Sequence, residues 1–247
     1  MLEDSLNFVI CGVQKGGTTA LDAYLREHPE IGMADQKELH FFDNSANFEK
    51  NVDYSVLHQS FSPGPGEKIF GECTPSYIYL SEVHQRLHEY NQELKLILLL
   101  RNPVERAYSH WQMEYRRNYE TLSFSEAIRA EADRLANADD QQKRVFSYID
   151  RGRYLPQLER LWRLFPKNNV LILKSEDLKM HPGKCLDKVC HFLGVTPFAS
   201  IEQKNVHSQT YDAPLLTQDR KFLQALFLNE ITALEQSLDW DLTAWKV

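Results

Sequence analysis

FVICGVQKGGTT, residues 8–19, decides the fold: an apolar run turns through paired glycines into a threonine pair that can open a helix. A buried strand that enters a helix through such a turn aims backbone N–H groups and the positive helix end at one point, where an anion is stabilised. The common triphosphate loop is G-x-x-x-x-G-K-[ST], with its lysine on the terminal phosphates. Gly12 and Gly17 have that spacing and Thr19 fills the hydroxyl position, but position 18 is threonine and the only lysine, Lys15, stands inside the loop. Gly16 and Gly17 let the backbone approach a ligand closely, Thr18 and Thr19 add hydroxyl donors, and Lys15 adds a point charge. The displaced lysine points to a phosphate-containing ligand that is not handled like ATP. The bland alternative, a turn that binds nothing, has no need of a K-G-G-T-T run.

Around this loop lie further short apolar runs bounded by turn residues, at 31–34, 68–71, 94–100 and 169–174, which with 7–13 predict about five strands buried on both faces. Helical patterns fall between them at 18–28, 81–90, 103–117, 123–137, 154–165 and 184–193. Alternating strands and helices imply crossover units, so the expectation is an α/β, P-loop-like domain with a mostly parallel central sheet flanked by helices. Asn102 and Pro103 form a helix start, and Gly194 a helix stop. A last helix carries Leu223, Leu226, Phe227, Ile231, Leu234 and Leu238 at three- and four-residue spacing, a stripe expected to face the core. No linker divides the chain, so a single domain over 1–247 is expected.

With 247 residues, 43% of them hydrophobic, the chain can bury a substantial core. A net charge of −7 argues against a general polyanion surface and hence against nucleic-acid binding; any anion site is a local basic pocket. The apolar runs at 8–13 and 96–100 are far too short to span a membrane. Cys11, Cys73, Cys185 and Cys190 show no C-x-x-C pair and no metal spacing, which reads as buried free thiols in a reducing compartment and suggests a cytoplasmic location.

The second informative stretch is LKLILLLRNPVERAYSHW, residues 94–111. A magnesium-dependent NTPase usually ends a second buried strand in an aspartate that holds the metal. This strand ends in Arg101, with Ser109 two turns into the following helix. A forked cation and a hydroxyl donor suit a second phosphate.

On these motifs the chain resembles the sulfotransferases that use 3′-phosphoadenosine 5′-phosphosulfate (PAPS), in particular the heparan-sulfate type and its bacterial relatives. Gly12–Thr18 matches that family's 5′-phosphosulfate loop, G-x-x-K-G-G-T, which implies donor binding by Gly12, Gln14, Lys15, Gly16, Gly17, Thr18 and Thr19; Arg101–Ser109 matches its 3′-phosphate motif. The likeness continues through KELHFFD at 37–43, ECTPSYIY at 72–79, GRYLPQLERLWRLFP at 152–166, VLILKSEDL at 170–178 and LEQSLDWDLTAW at 234–245. It implies Glu38 as the general base, with His40 orienting the acceptor, touching the transferred group or sharing the base role. Lys15 would stabilise the leaving group, and no metal is expected. Glu72, Thr74 and Tyr77, after a strand, are implied as acceptor or donor contacts. Tyr154 either contacts the nucleotide or packs on the core. Lys204 and Asn205 lie in a late loop where family members often close over the donor, and Arg116 and Arg117 are either acceptor guides or a solvated helix end.

The resemblance thus implies sulfuryl transfer from PAPS to a hydroxyl of a carbohydrate or small-molecule acceptor, leaving the desulfated product PAP. A small-molecule kinase would need a lysine where Thr18 stands and a carboxylate where Arg101 stands. A non-catalytic nucleotide-binding module would have no use for the set Lys15, Glu38 and His40.

Overall fold

The computed structural model describes residues 5–202 and 214–247. In chain order the regular elements are β1 Phe8–Gly12, α1 Thr18–Leu25, β2 Ile31–Met33, α2 Ser55–His58, β3 Ile69–Cys73, α3 Ser81–Tyr90, β4 Lys95–Leu100, α4 Pro103–Arg116, α5 Phe124–Leu135, α6 Asp140–Phe146, α7 Tyr154–Trp162, β5 Val170–Lys174, α8 Ser175–Met180, α9 Pro182–Leu193 and α10 Thr217–Leu238, with short 3-10 turns between some of them. All five expected strands form. Every pairing is parallel and the order is β2-β3-β1-β4-β5. Each residue of β1 is buried, as a strand covered on both faces requires. The described residues divide into two compact units, 5–100 with 159–202, and 101–158 with 214–247.

The first unit contains the sheet. Leu21 and Leu25 of α1 and Leu186, Val189 and Leu193 of α9 pack with Phe8, Ile10, Ile97 and Leu99 in one apolar cluster. A second cluster is aromatic: Phe42 meets Tyr77 edge-on at 5.8 Å and Tyr90 at 5.4 Å, and Tyr54 lies 4.8 Å from Tyr90. Arg86 of α3 donates to the Phe42 carbonyl at 2.7 Å and covers the Phe48 ring at 4.3 Å. These contacts hold the long connection after β2 in place. All four cysteines are free and buried.

The second unit is helical. Asn102 caps α4 by accepting from the Val104 N–H at 3.0 Å, with Pro103 at the first turn, as the sequence predicts. Among its buried polar groups, Glu120 accepts from Arg134 at 2.6 Å and from the Tyr148 hydroxyl at 2.9 Å, and Arg106 donates to the Tyr148 carbonyl. On α10 the buried apolar positions are Leu223, Phe227, Ile231 and Leu234. Leu226 is instead exposed, because on this helix the inward positions run i, i+4, i+8, i+11 from Leu223 and Leu226 falls to one side of that row. No helix among the described residues is long and apolar enough to cross a membrane.

Candidate active site

In a parallel sheet the connections that follow the strands emerge at one edge, and the reversal of strand order beside β1 opens a crevice there. In the first unit that edge receives the turns after β1, β2 and β3. Thr74 N–H donates to the Ile10 carbonyl at 3.1 Å and Ile78 N–H to the Cys11 carbonyl at 2.9 Å, so the turn after β3 is fastened to β1 itself.

The β1–α1 turn has the closeness that its glycines suggest. Gly16 N–H donates to the Val13 carbonyl at 2.8 Å, and a Cβ on Gly16 would lie 2.3 Å from the Leu99 carbonyl oxygen. On Gly12 it would lie 2.4 Å from Ile78. Gly17, at φ 96, starts α1 with no side-chain cap, which leaves the helix entrance to a ligand. Lys15 sits at φ 68, Thr18 is buried, Thr19 is half-buried, and the Gln14 amide oxygen is buried with no hydrogen-bond partner among the described residues. The turn fits a phosphate-containing group: backbone at close range, a helix entrance, a cation and hydroxyls. A Gly16→Ala substitution forces a methyl against the Leu99 backbone. It is expected to cost about 1–3 kcal/mol, read as a Tm several degrees lower in calorimetry.

The connection after β2 brings Glu38, His40 and Asp43 together. Glu38 N–H donates to the Cys73 carbonyl at 2.9 Å, which ties the segment to the end of β3. The Lys37 ammonium donates to Glu38 Oε1 at 2.5 Å, and Glu38 Oε2 lies 3.8 Å from His40 Nε2. His40 Nδ1 is 2.9 Å from Asp43 Oδ2, which also accepts from the Ser76 hydroxyl at 2.8 Å. Asp43 is buried, Glu38 is exposed and His40 is half-buried, so the chain runs from the interior out to the surface. A carboxylate that accepts from Nδ1–H leaves Nε2 to face a reactant. Glu38 and His40 are not joined by extended backbone: both are left-handed, at φ 62 and φ 52. Lys15, Glu38 and His40 are three of the five non-glycine residues with positive φ among the described residues, and such conformations persist where surroundings over-determine them, often at functional sites.

Sequence reasoning passed over Lys37, Asp43 and Ser76. Asp43 lies in the same KELHFFD run, three residues after His40, and an acid at that spacing beside a candidate histidine was the available signal. Glu72, Thr74 and Tyr77 have no exposed surface. Thr74 donates to Glu72 Oε2 at 2.8 Å, and the Tyr77 hydroxyl accepts from the Phe42 N–H at 3.2 Å, so these residues stand behind the 38–43 segment.

In the second unit, Arg101 is half-buried at the entrance to α4, and Ser109 is buried on it. The Tyr154 hydroxyl donates to the Arg101 carbonyl at 2.8 Å while its ring packs against Trp245, the core-packing option for that residue. Arg117 lies 3.6 Å from Glu114. Lys204 and Asn205 lie outside the described residues.

The fold and site together are those of a P-loop-like α/β transferase, with a glycine-rich strand-to-helix turn and an acid–histidine–acid chain. Residues 6–217 match the sulfotransferase domain model, and the chain belongs to the sulfotransferase family. It is 31% identical over 203 residues to the mouse heparan sulfate glucosamine 3-O-sulfotransferase 5, covering 81% of this chain and 56% of that protein. It is 34% identical over 190 residues to the human heparan sulfate glucosamine 3-O-sulfotransferase 6, covering 76% and 52%. The chain thus spans about half the length of the curated relatives it matches. Among solved structures, a sulfotransferase from Alicyclobacillus acidocaldarius superposes with a TM-score of 0.84 at 28% identity, covering 99% of this chain and 100% of that one. The resemblance read from the motifs and the α/β fold are both borne out.

Proposed function

We propose that this chain moves a sulfuryl group from PAPS to a hydroxyl of a carbohydrate acceptor, with both units working as one sulfotransferase domain. The observation that carries this reading is the convergence, at one sheet edge, of the glycine-rich turn of residues 12–19 with Glu38, His40 and Asp43. The turn would hold the 5′-phosphosulfate, and Arg101 with Ser109 would take the 3′-phosphate. Glu38 accepts the acceptor's proton as its oxygen bonds to sulfur. The bond between sulfur and the bridging phosphate oxygen breaks, the electron pair stays on that oxygen, and PAP leaves with Lys15 supporting the new charge. Asp43 orients His40 so that Nε2 faces the reactants. The heparan-sulfate relatives favour a sugar hydroxyl as acceptor.

Thermal-shift measurements separate this reading from a kinase. PAP is expected to raise Tm and magnesium-ATP to leave it unchanged. Stabilisation by magnesium-ATP but not by PAP would contradict the proposal.

A further inference from the structure

Glu72 has no part in the transfer described above, yet it is the most enclosed acid of the first unit. It sits on β3 opposite Val9 of β1 and has no solvent-exposed surface. Oε2 accepts from the Thr74 hydroxyl at 2.8 Å, and Oε1 is buried with no hydrogen-bond partner among the described residues. An ionised carboxylate with one oxygen uncompensated in a dry site is far more costly than a neutral acid in the same place. The groups facing it are the Asp43 carboxylate and His40 on the connection after β2, the Thr74 and Tyr77 hydroxyls after β3, and the Cys11 and Cys73 thiols. Burial pushes both thiols up, so neither adds charge near neutrality. Burial, with the nearby Asp43 charge adding to it, likewise raises the Glu72 carboxyl to about 8, against the pull of the Thr74 and Tyr77 hydroxyls and of His40.

Glu72 is also linked to the reactive segment. Thr74, which donates to Glu72, accepts at its carbonyl from the Tyr77 N–H at 3.3 Å, the Tyr77 hydroxyl accepts from the Phe42 N–H at 3.2 Å, and Phe42 lies between His40 and Asp43 in the chain. We infer that Glu72 is a positioning residue: as a neutral acid it supports, through Thr74 and Tyr77, the segment that carries His40 and Asp43, and ionising it disturbs that pair. Two buried acids thereby share one negative charge, and it stays on Asp43 beside His40. A second charge behind Asp43 would repel it and strain the Tyr77–Phe42 link. The inference rests on the proposed role of His40 and Asp43 in transfer.

The test compares the full chain with its Glu72→Gln variant. The folded protein keeps the Glu72 proton where the unfolded chain, titrating near 4.5, has lost it, so this residue's contribution to stability falls as pH rises from about 4.5 to about 8. The variant lacks that loss. Its Tm minus that of the parent should therefore grow by several degrees across this window and level off above it. A difference that is constant with pH means that Glu72 is ionised throughout, and overturns the inference.

The His40 ring resonances in 15N NMR supply a second readout that needs no turnover. They should step near pH 8 in the parent and not in the variant; an identical step in both overturns the coupling. With PAPS and heparan sulfate, PAP release by the parent should drop several-fold from pH 7 to pH 9, while the variant keeps a constant ratio. If neither protein releases PAP at any pH, the transferase reading fails while the Tm and NMR results still decide the role of Glu72. Should Glu72→Gln not fold, Tyr77→Phe removes the link instead: the His40 step should shrink, and an undiminished step overturns the inference.

Discussion

Replacing Lys15 with alanine should lower turnover by at least about a hundredfold, the scale seen when one preorganised charge is removed from a developing oxyanion. The physical case lies in the turn. Lys15 is held at φ 68, next to Gly16, whose missing Cβ lets the backbone pass within van der Waals range of the Leu99 carbonyl. A side chain launched from so constrained a backbone needs little reorganisation when charge appears on the bridging oxygen. Binding of PAP should fall less than kcat, because the rest of the turn and the entrance to α1 still hold the phosphate. Steady-state rates alongside calorimetric PAP affinities check this. A variant that loses affinity and rate in equal proportion would make Lys15 a binding residue only.

Glu38→Gln should have a comparable effect for a different reason. The substitution keeps the shape of the side chain and removes its ability to take a proton, so kcat should fall at least about a hundredfold while PAP affinity stays nearly intact. Lys37 holds one oxygen of Glu38 at 2.5 Å and His40 Nε2 lies 3.8 Å from the other, so the carboxylate is already oriented. Full activity in the glutamine variant would transfer the role to His40, whose Nδ1 is fixed by the buried Asp43.

Much of this architecture was legible because buried parallel strands announce themselves. FVICG and KLILLL are continuous apolar runs, and each formed a strand within a residue or two of its expected bounds. Element ends were less legible. The first helix stops at Leu25 rather than 28, since the next N–H groups turn back on Asp22, Tyr24 and Leu25 in a closing turn. The helices α2, α6 and α8 escaped notice because four to seven residues carry too little periodicity to register. α10 was found, but its stripe was drawn too wide, and Leu226 belongs to the surface.

Of the candidate site, the residue types can be read in the sequence and the geometry cannot. The displaced lysine, the glycine pair and Arg101 are chemical substitutions visible in a string of letters. That Glu38 and His40 meet through two left-handed residues is not visible there, because only glycine advertises positive φ. Nor could the string show that Glu72, Thr74 and Tyr77 face inward, since the turn after β3 gains its burial from the distant aromatic segment at 41–54.

The most direct measurement follows 35S from labelled PAPS into heparan sulfate, with the parent chain beside the Lys15→Ala and Glu38→Gln variants. The account predicts label on a sugar hydroxyl with stoichiometric release of PAP by the parent, and at least about a hundredfold less from either variant. Label transferred equally well by all three proteins would contradict it.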